Sequence, residues 1–453
     1  MKPQRLKRTP VVARGISDIF HLNPSTLKPW PGNPRTHPAK QLTTLSASVE
    51  QFGITSALLV DEANTILSGH ARREVAIALK LETVPVRVIS GLTQGQKRAL
   101  LIGDNKIASL SGWDADQLKA QLELLFDDQF EVELTGFTTA EIDLMFEEPP
   151  VAPTADPGEL QPEDIAQEQV TRAGDQWELG PHRLLCGDAR SAESYTQLMA
   201  GERAQMVFTD PPFNVPIAGH VGGKGKVKHK EFVMARGEMS SSEFTAFLAE
   251  FLVHAHAVAQ DGAIAFVCMD WRHTMELQEA ARPVFGPPRQ MCVWIKDNGG
   301  MGTFYRSQHE LVLVFKKGSA PHINNFELGQ YGRYRTNVWE YPGVNTFKGK
   351  GYQLLTLHPT VKPVSLVADA IRDCSHRQGL VLDPFAGSGT ILIAAERTGR
   401  CARAIELDPR YVDTAVLRWQ RVTGQQAHLA GSGKSWEAVR GERLSQTVKG
   451  DAA

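Results

Sequence analysis

Two hydrophobic periodicities alternate along the chain. In the front part, "AKQLTTLSASVEQFG" places Leu42, Leu45, Val49 and Phe52 at near-helical spacing, with Gly53 as a C-cap. "ALLVDEANTILSGH" predicts two short strands around a polar turn, "ARREVAIALKLE" a helix with Val75, Ala76 and Leu79 inward, and "TVPVRVI" a strand. The back part repeats the alternation. Strands are expected at 183–187, 205–209, 262–268, 291–295, 310–315, 379–383 and 402–406, and helices at 242–260, 363–376, 389–398 and 409–422. Such alternation predicts a largely parallel sheet with helices on both faces.

Composition divides this pattern into regions. "EEPPVAPTADPGELQPEDIAQEQV", residues 147–170, is rich in proline and acid and has no lysine or arginine, so it reads as an extended linker. The expected organisation is a front domain at 15–115, a helical extension at 116–146, the linker, a larger domain at 171–424 and a loose polar tail at 425–453. The 453 residues are too many for one core, and 42% hydrophobic with 22% charged is ordinary for a globular chain. The five cysteines are scattered and never form C-x-x-C, which excludes a disulfide framework and a cysteine-rich zinc site; no metal is expected. The basic start "MKPQRLKRTP" has no apolar stretch behind it, so no signal peptide or membrane span is read and a cytoplasmic protein is expected. A net charge of −2 means that any nucleic-acid surface must be local.

Two stretches carry chemistry. "TDPPFN" (209–214) ends the 205–209 strand in a carboxylate, two prolines and an aromatic ring: Asp210, Pro211, Pro212 and Phe213. The prolines stiffen a loop whose value lies in placement. "LVLDPFAGSGTILIAAERTGRCARAIELD" runs strand, glycine turn, helix, strand. Asp383 stands at the carboxyl end of the first strand, where open α/β sheets bind ligands. Gly387 and Gly389 allow close backbone approach, the helix near Thr390 presents free N–H groups, and Glu406 ends the next strand at a distance suited to ribose hydroxyls. A G-x-G-x-x-G dinucleotide turn is missing, which argues against an NAD-dependent dehydrogenase.

D-P-F-A-G-S-G-T resembles motif I of S-adenosylmethionine-dependent DNA amino-methyltransferases, and D-P-P-F resembles their motif IV. "RLLCGDARS" with Asp188, "MCVWIKDNGGMGTFYRSQHELVLVFKKG", and "HPTVKPVSLVADAI" with Thr360 and Lys362, resembling motif X, extend the likeness over most of 174–423. The motif order is that of the permuted β class. The resemblance implies an α/β fold, a Rossmann-like methyltransferase sheet with circularly permuted motif order, and S-adenosyl-L-methionine as cofactor. It implies cofactor contacts from Asp188, Thr360, Lys362, Asp383, Phe385, Gly387, Gly389, Thr390 and Glu406. Asp210 and the Pro211 carbonyl would accept the N–H groups of an exocyclic amine, and Phe213 would stack on the base. Phe213 stands where tyrosine is commoner. An acidic first residue leans towards N6 of adenine; N4 of cytosine is the nearest rival.

DNA contact is expected from local basic stretches. "GHVGGKGKVKHK" supplies Lys224, Lys226 and Lys228, and the segment before motif X supplies Arg333 and Arg335. At the front, "LNPSTLKPWPGNPRTHP", "SVEQFGITSALLV" and "ILSGHARREVAIALKLETVPVRVI" resemble a ParB/sulfiredoxin-like domain, a smaller α+β module. Its turn is Gly69, His70, Arg72 and Arg73, a helix start suited to a phosphate and hence to a nucleotide or DNA. Sulfiredoxin chemistry is excluded because no cysteine stands there. Expected partners are double-stranded DNA, with no membrane; a homodimer is left open. A different reading is a ParB-like DNA-binding protein whose methyltransferase-fold domain only senses cofactor.

Overall fold

The computed structural model describes residues 15–147, 156–215, 237–297, 299, 305–326, 329, 333–343 and 361–450. Lys224, Lys226, Lys228 and Thr360, and the linker residues 148–155, lie outside them. Phe146 closes one compact unit and Glu147 opens the other.

In the first unit, strands β1 (Phe20–Leu22), β2 (Leu58–Val60), β3 (Ile66–Ser68) and β4 (Val84–Val88) form a sheet in the order β1-β4-β2-β3. Helix His70–Ala78 packs on it over Leu27, Leu58, Val60, Ile66 and Ala76, and helix Ala39–Phe52 packs against that helix. Helices Ala115–Asp127 and Thr139–Met145 close on a separate small core of Leu122, Val132 and Ile142.

The second unit is built on one sheet. Its strands are β5 (Gln176–Leu179), β6 (His182–Cys186), β7 (Ala204–Thr209), β8 (Ala259–Met269), β9 (Gln290–Ile295), β10 (His309–Lys316), β11 (Val338–Glu340), β12 (Leu380–Asp383), β13 (Cys401–Glu406), β14 (His428–Leu429) and β15 (Lys434–Ser435). They lie in the order β11-β9-β10-β8-β7-β12-β13-β6-β5-β14-β15. The central strands β8, β7, β12, β13 and β6 are parallel. The expected largely parallel sheet is corrected on its flanks, which are antiparallel at β10 against β8 and β9 and from β6 outward. Only β11 rejoins in parallel, on β9.

Alternation along the central strands fills two cores. Met206, Phe208, Ile264 and Phe266 face helices Val364–Cys374, Thr390–Thr398 and Pro409–Thr423. Val207, Ala265 and Val267 face Ser241–Val258 and Thr274–Phe285. A strand buried on both faces reads as a continuous apolar run, which is why these strands are legible in the sequence.

Two regional expectations need correction. From Asp156 onward the linker packs on its own unit: Leu160 and Val170 are buried, Arg421 clamps Asp164, and Asp413 accepts the backbone N–H groups of Val170 and Thr171. Its Asp156 and Asp164 are partners for arginines far along the chain, Arg397 and Arg421. The tail 425–453 is likewise ordered through Gly450: it adds β14, β15 and helix Trp436–Gly450, with Trp436 donating to Asp413 at 2.9 Å. Among the described residues no helix is long and apolar enough to cross a membrane.

Candidate active site

Parallel pairing of β7, β8, β12 and β13 brings their carboxyl ends to one edge, with Thr209 opposite Val267 and Asp383 opposite Ala404. β10 runs the other way, so its first residues, His309 and Glu310, arrive at the same edge. Asp210, Asp383, Glu406 and Glu310 are therefore gathered from four strands.

At the glycine turn, Asp383 accepts the Phe385 N–H at 3.0 Å. Glu406 accepts the N–H of Gly387 and that of Asp408, each at 2.9 Å. Glu406 thus staples the turn, and each of its oxygens keeps acceptor capacity for a ligand. Burial pushes the Asp383 and Glu406 carboxyls each up to about 7, and among the described residues neither has an ion pair. The two glycines differ in role. Gly387, at φ +52°, faces open space, whereas a side chain on Gly389, at φ +78°, would meet Ala415 Cβ at 2.7 Å. The turn thus leaves open space at Gly387, whereas Gly389 is held by the Pro409–Thr423 helix. Phe385 is turned into the core, edge-on to Phe251 at 4.9 Å. Asp188 follows β6 on the same edge, occupied by Arg190 at 2.7–3.1 Å. Burial alone would raise the Asp188 carboxyl, but the Arg190 bonds win and hold it below its ordinary value.

The D-P-P-F loop lies beside this turn. Lys362, expected at the cofactor, sends its ammonium to Asp210 Oδ2 at 2.5 Å and lies 3.0 Å from Glu310 Oε2. Lys296 binds the other Glu310 oxygen at 2.5 Å. Two carboxylates draw in two ammoniums, because an unpaired charge here would be very costly. Lys362 Nζ stands 5.4 Å from the Phe213 ring and 5.8 Å from that of Trp294. Burial pushes Asp210 up to about 6, whereas Glu310, also buried, is held by its two lysines down to about 2. Asp210 Oδ1 is buried and has no hydrogen-bond partner among the described residues. A buried lone acceptor beside an aromatic ring suits an incoming N–H donor.

Sequence reasoning missed several participants. Asn214 follows the loop at φ +52° and its amide grips Gly237 and Met239, at 2.8–3.2 Å. An asparagine after D-P-P-F, tolerant of that conformation, was the available signal. Lys296 and Glu310 lie in the quoted W-I-K and Q-H-E runs without being singled out. Arg418 is fully buried and binds the carbonyls of Gly158 and Ser388 and the hydroxyl of Thr390; nothing local marks it.

Other expected contacts fall elsewhere. Arg333 and Arg335, expected at DNA, are paired with Asp369 and Asp373, and Arg335 also with the Tyr341 hydroxyl, so they pin the β11 segment to helix Val364–Cys374. Two acids on one helix face, Asp373 nearly fully buried, need those cations. In the first unit, Gly69 caps helix His70–Ala78 at φ +104° and His70 accepts the Trp30 N–H. Arg72 donates to the Ser56 and Ala57 carbonyls, and Arg73 to that of Pro24.

The DNA methylase family (N6_N4_Mtase) matches residues 204–417. The type II methyltransferase M.ScaI of Streptomyces caespitosus is 38% identical over 87 residues, 19% of this chain and 29% of that protein, so the match spans under a third of that relative. The ParB-like nuclease domain-containing protein YnaK of Escherichia coli (strain K12) is 46% identical over 72 residues, 16% of this chain and 83% of YnaK. Among solved structures, the cytosine-N4-specific PvuII DNA methyltransferase is 16% identical, covering 57% of this chain and 89% of that one, with a TM-score of 0.40.

Proposed function

The chain belongs to the N6/N4 DNA methylase family and carries a ParB-like domain ahead of it, and from that premise we propose that it methylates the exocyclic N6 of adenine in double-stranded DNA. The carrying observation is the buried, unpartnered Oδ1 of Asp210 beside Phe213 at the carboxyl edge of the sheet.

An exocyclic amine is a poor nucleophile because its lone pair is delocalised, and inside a duplex it is out of reach. The base must be flipped out. Phe213 offers a face for it, a contact worth about 1–3 kcal/mol in single-strand binders. Asp210 Oδ1 takes one N–H and the Pro211 carbonyl the other, turning the nitrogen lone pair towards the glycine turn. Asp383 and Glu406 favour a cationic ligand there, because each is a buried carboxylate with no ion pair among the described residues. Gly387 leaves room for it. S-Adenosyl-L-methionine, which carries a sulfonium and an amino group, fits that charge and supplies an electrophilic methyl when bound.

The acidic Asp210 favours adenine over cytosine. Mass spectrometry of nucleosides from DNA incubated with the protein and S-adenosyl-L-methionine tests this. N6-methyladenine is expected; N4-methylcytosine would overturn the choice of base, and no methylated nucleoside would overturn the reaction.

A further inference from the structure

Resting on that reaction, we propose that Lys362 is a positioning residue for the target amine. It acts through Asp210, by fixing Oδ2 so that the ionised carboxylate presents only Oδ1 to the base.

The geometry carries this. Lys362 is 5% exposed and its ammonium is surrounded by Asp210 Oδ2 at 2.5 Å, Glu310 Oε2 at 3.0 Å and the faces of Phe213 and Trp294. A carboxylate in such a site, left alone, would take up a proton and could present a donor instead of an acceptor. One ammonium against one oxygen prevents that and breaks the equivalence of the two oxygens. Glu310 and Lys296 complete an alternating row of charges, Asp210–Lys362–Glu310–Lys296, which returns the buried cluster to neutrality. Among the other titratable groups facing Asp210, the Glu310 carboxylate opposes its ionisation, while Asp210 in turn raises Asp383 and the Cys268 thiol. Lys362 and, further out, Lys296 are the cations that favour it. The backbone of Lys362 is placed separately: its carbonyl accepts the Thr390 hydroxyl at 3.4 Å. Lys362 therefore belongs to the catalytic carboxylate through its side chain and to the glycine turn through its main chain.

The test compares full-length Lys362→Met, Lys362→Arg, Asp210→Asn and the double variant Lys362→Met/Asp210→Asn. Calorimetry with S-adenosyl-L-methionine is expected to give wild-type affinity for Lys362→Met. Turnover on λ phage DNA with tritiated cofactor should fall about a hundredfold, the usual scale for lost positioning. The acid limb of its pH–rate profile should move to higher pH, because Asp210 has lost the charge that keeps it ionised. Asp210→Asn removes this titration, so adding Lys362→Met to it should cost little and leave the remaining acid limb, set by other groups, where it was. A sharp loss of cofactor binding in Lys362→Met, or an equal loss of turnover in the Asp210→Asn background, would overturn the proposal. If Lys362→Met does not fold, Lys362→Arg decides: a wild-type acid limb supports the role and a displaced one refutes it. The difference in melting temperature between the wild-type chain and Asp210→Asn across mildly acid pH reads the same titration without DNA. Failure of the methylation reaction is thereby distinguishable from failure of the Lys362 role.

Discussion

Deleting residues 156–167, just before the strands of the second unit, should destabilise that unit although the deletion touches none of its motifs. Arg418 is fully buried and places Nε and Nη2 on the Gly158 carbonyl, at 3.0 and 2.9 Å. Leu160 is buried, and Arg421 grips the buried Asp164 at 2.6 and 2.9 Å. Breaking one buried charged interaction of this kind costs about 3–5 kcal/mol. Uncovering the leucine adds about 2 kcal/mol. Against a typical total of about 5–15 kcal/mol this is severe. At roughly 2 °C per kcal/mol for a domain of this size, melting should fall by about 10 °C or more. Arg418 also holds the Ser388 carbonyl and the Thr390 hydroxyl, so cofactor affinity should fall with stability. The assay is differential scanning fluorimetry and cofactor calorimetry on fragments beginning at Glu147 and at Glu168. Melting temperatures within about 2 °C of each other, and equal affinities, would refute the reasoning: the acidic segment would then be a tether.

Cofactor binding should release protons near neutral pH. Asp383 and Glu406 are pushed up to about 7 by burial, so part of each is protonated in the free protein, and a cationic ligand favours the charged form. Affinity should therefore weaken as pH falls below 7, and calorimetry in buffers of different ionisation enthalpy should show the release; no exchange would count against these two carboxylates facing the ligand. Phe213→Ala should weaken productive DNA binding by about 1–3 kcal/mol, read as kcat/KM, while Phe213→Tyr retains most activity; equal losses would remove the stacking role. Asn214→Ala should lower turnover without changing cofactor affinity, because its amide holds the backbone of Gly237 and Met239 beside the D-P-P-F loop. Asn214→Gly, which restores only the conformation, should not recover turnover, and full recovery would show that the backbone angle alone matters.

What is legible in the sequence and what is not divides along a physical line. Strand β7, expected at 205–209, runs Ala204–Thr209, and β13, expected at 402–406, runs Cys401–Glu406, because runs apolar on both faces announce themselves. Helix Thr274–Phe285 escapes the sequence pattern; it carries Pro283 near its end. The glycine turn and the D-P-P-F loop are legible because their chemistry needs unusual residues in a fixed local order. The partner of Lys362 is not, since Asp210 lies 152 residues away and meets it only through the strand order. Arg333 and Arg335 are a parallel case: the run of basic and aromatic residues is plain in the sequence, but the two acids of a neighbouring helix that pair with it are not.

The same strand order explains why the permuted motif sequence can work as one device. Lys362 lies just ahead of helix Val364–Cys374, and its carbonyl receives the hydroxyl of Thr390, the first residue of the helix after the glycine turn. Its ammonium reaches Asp210, at the end of a different strand. Glu159 accepts the Val364 N–H at 2.8 Å, and Arg418 holds Ser388 and Thr390. A displacement of the glycine turn must therefore be felt at Asp210 through two hydrogen bonds and one side chain. Groups joined in this way do not contribute independently. Truncating Thr390 and Lys362 together should cost less than the two single losses added, because each interrupts the same link between the glycine turn and Asp210.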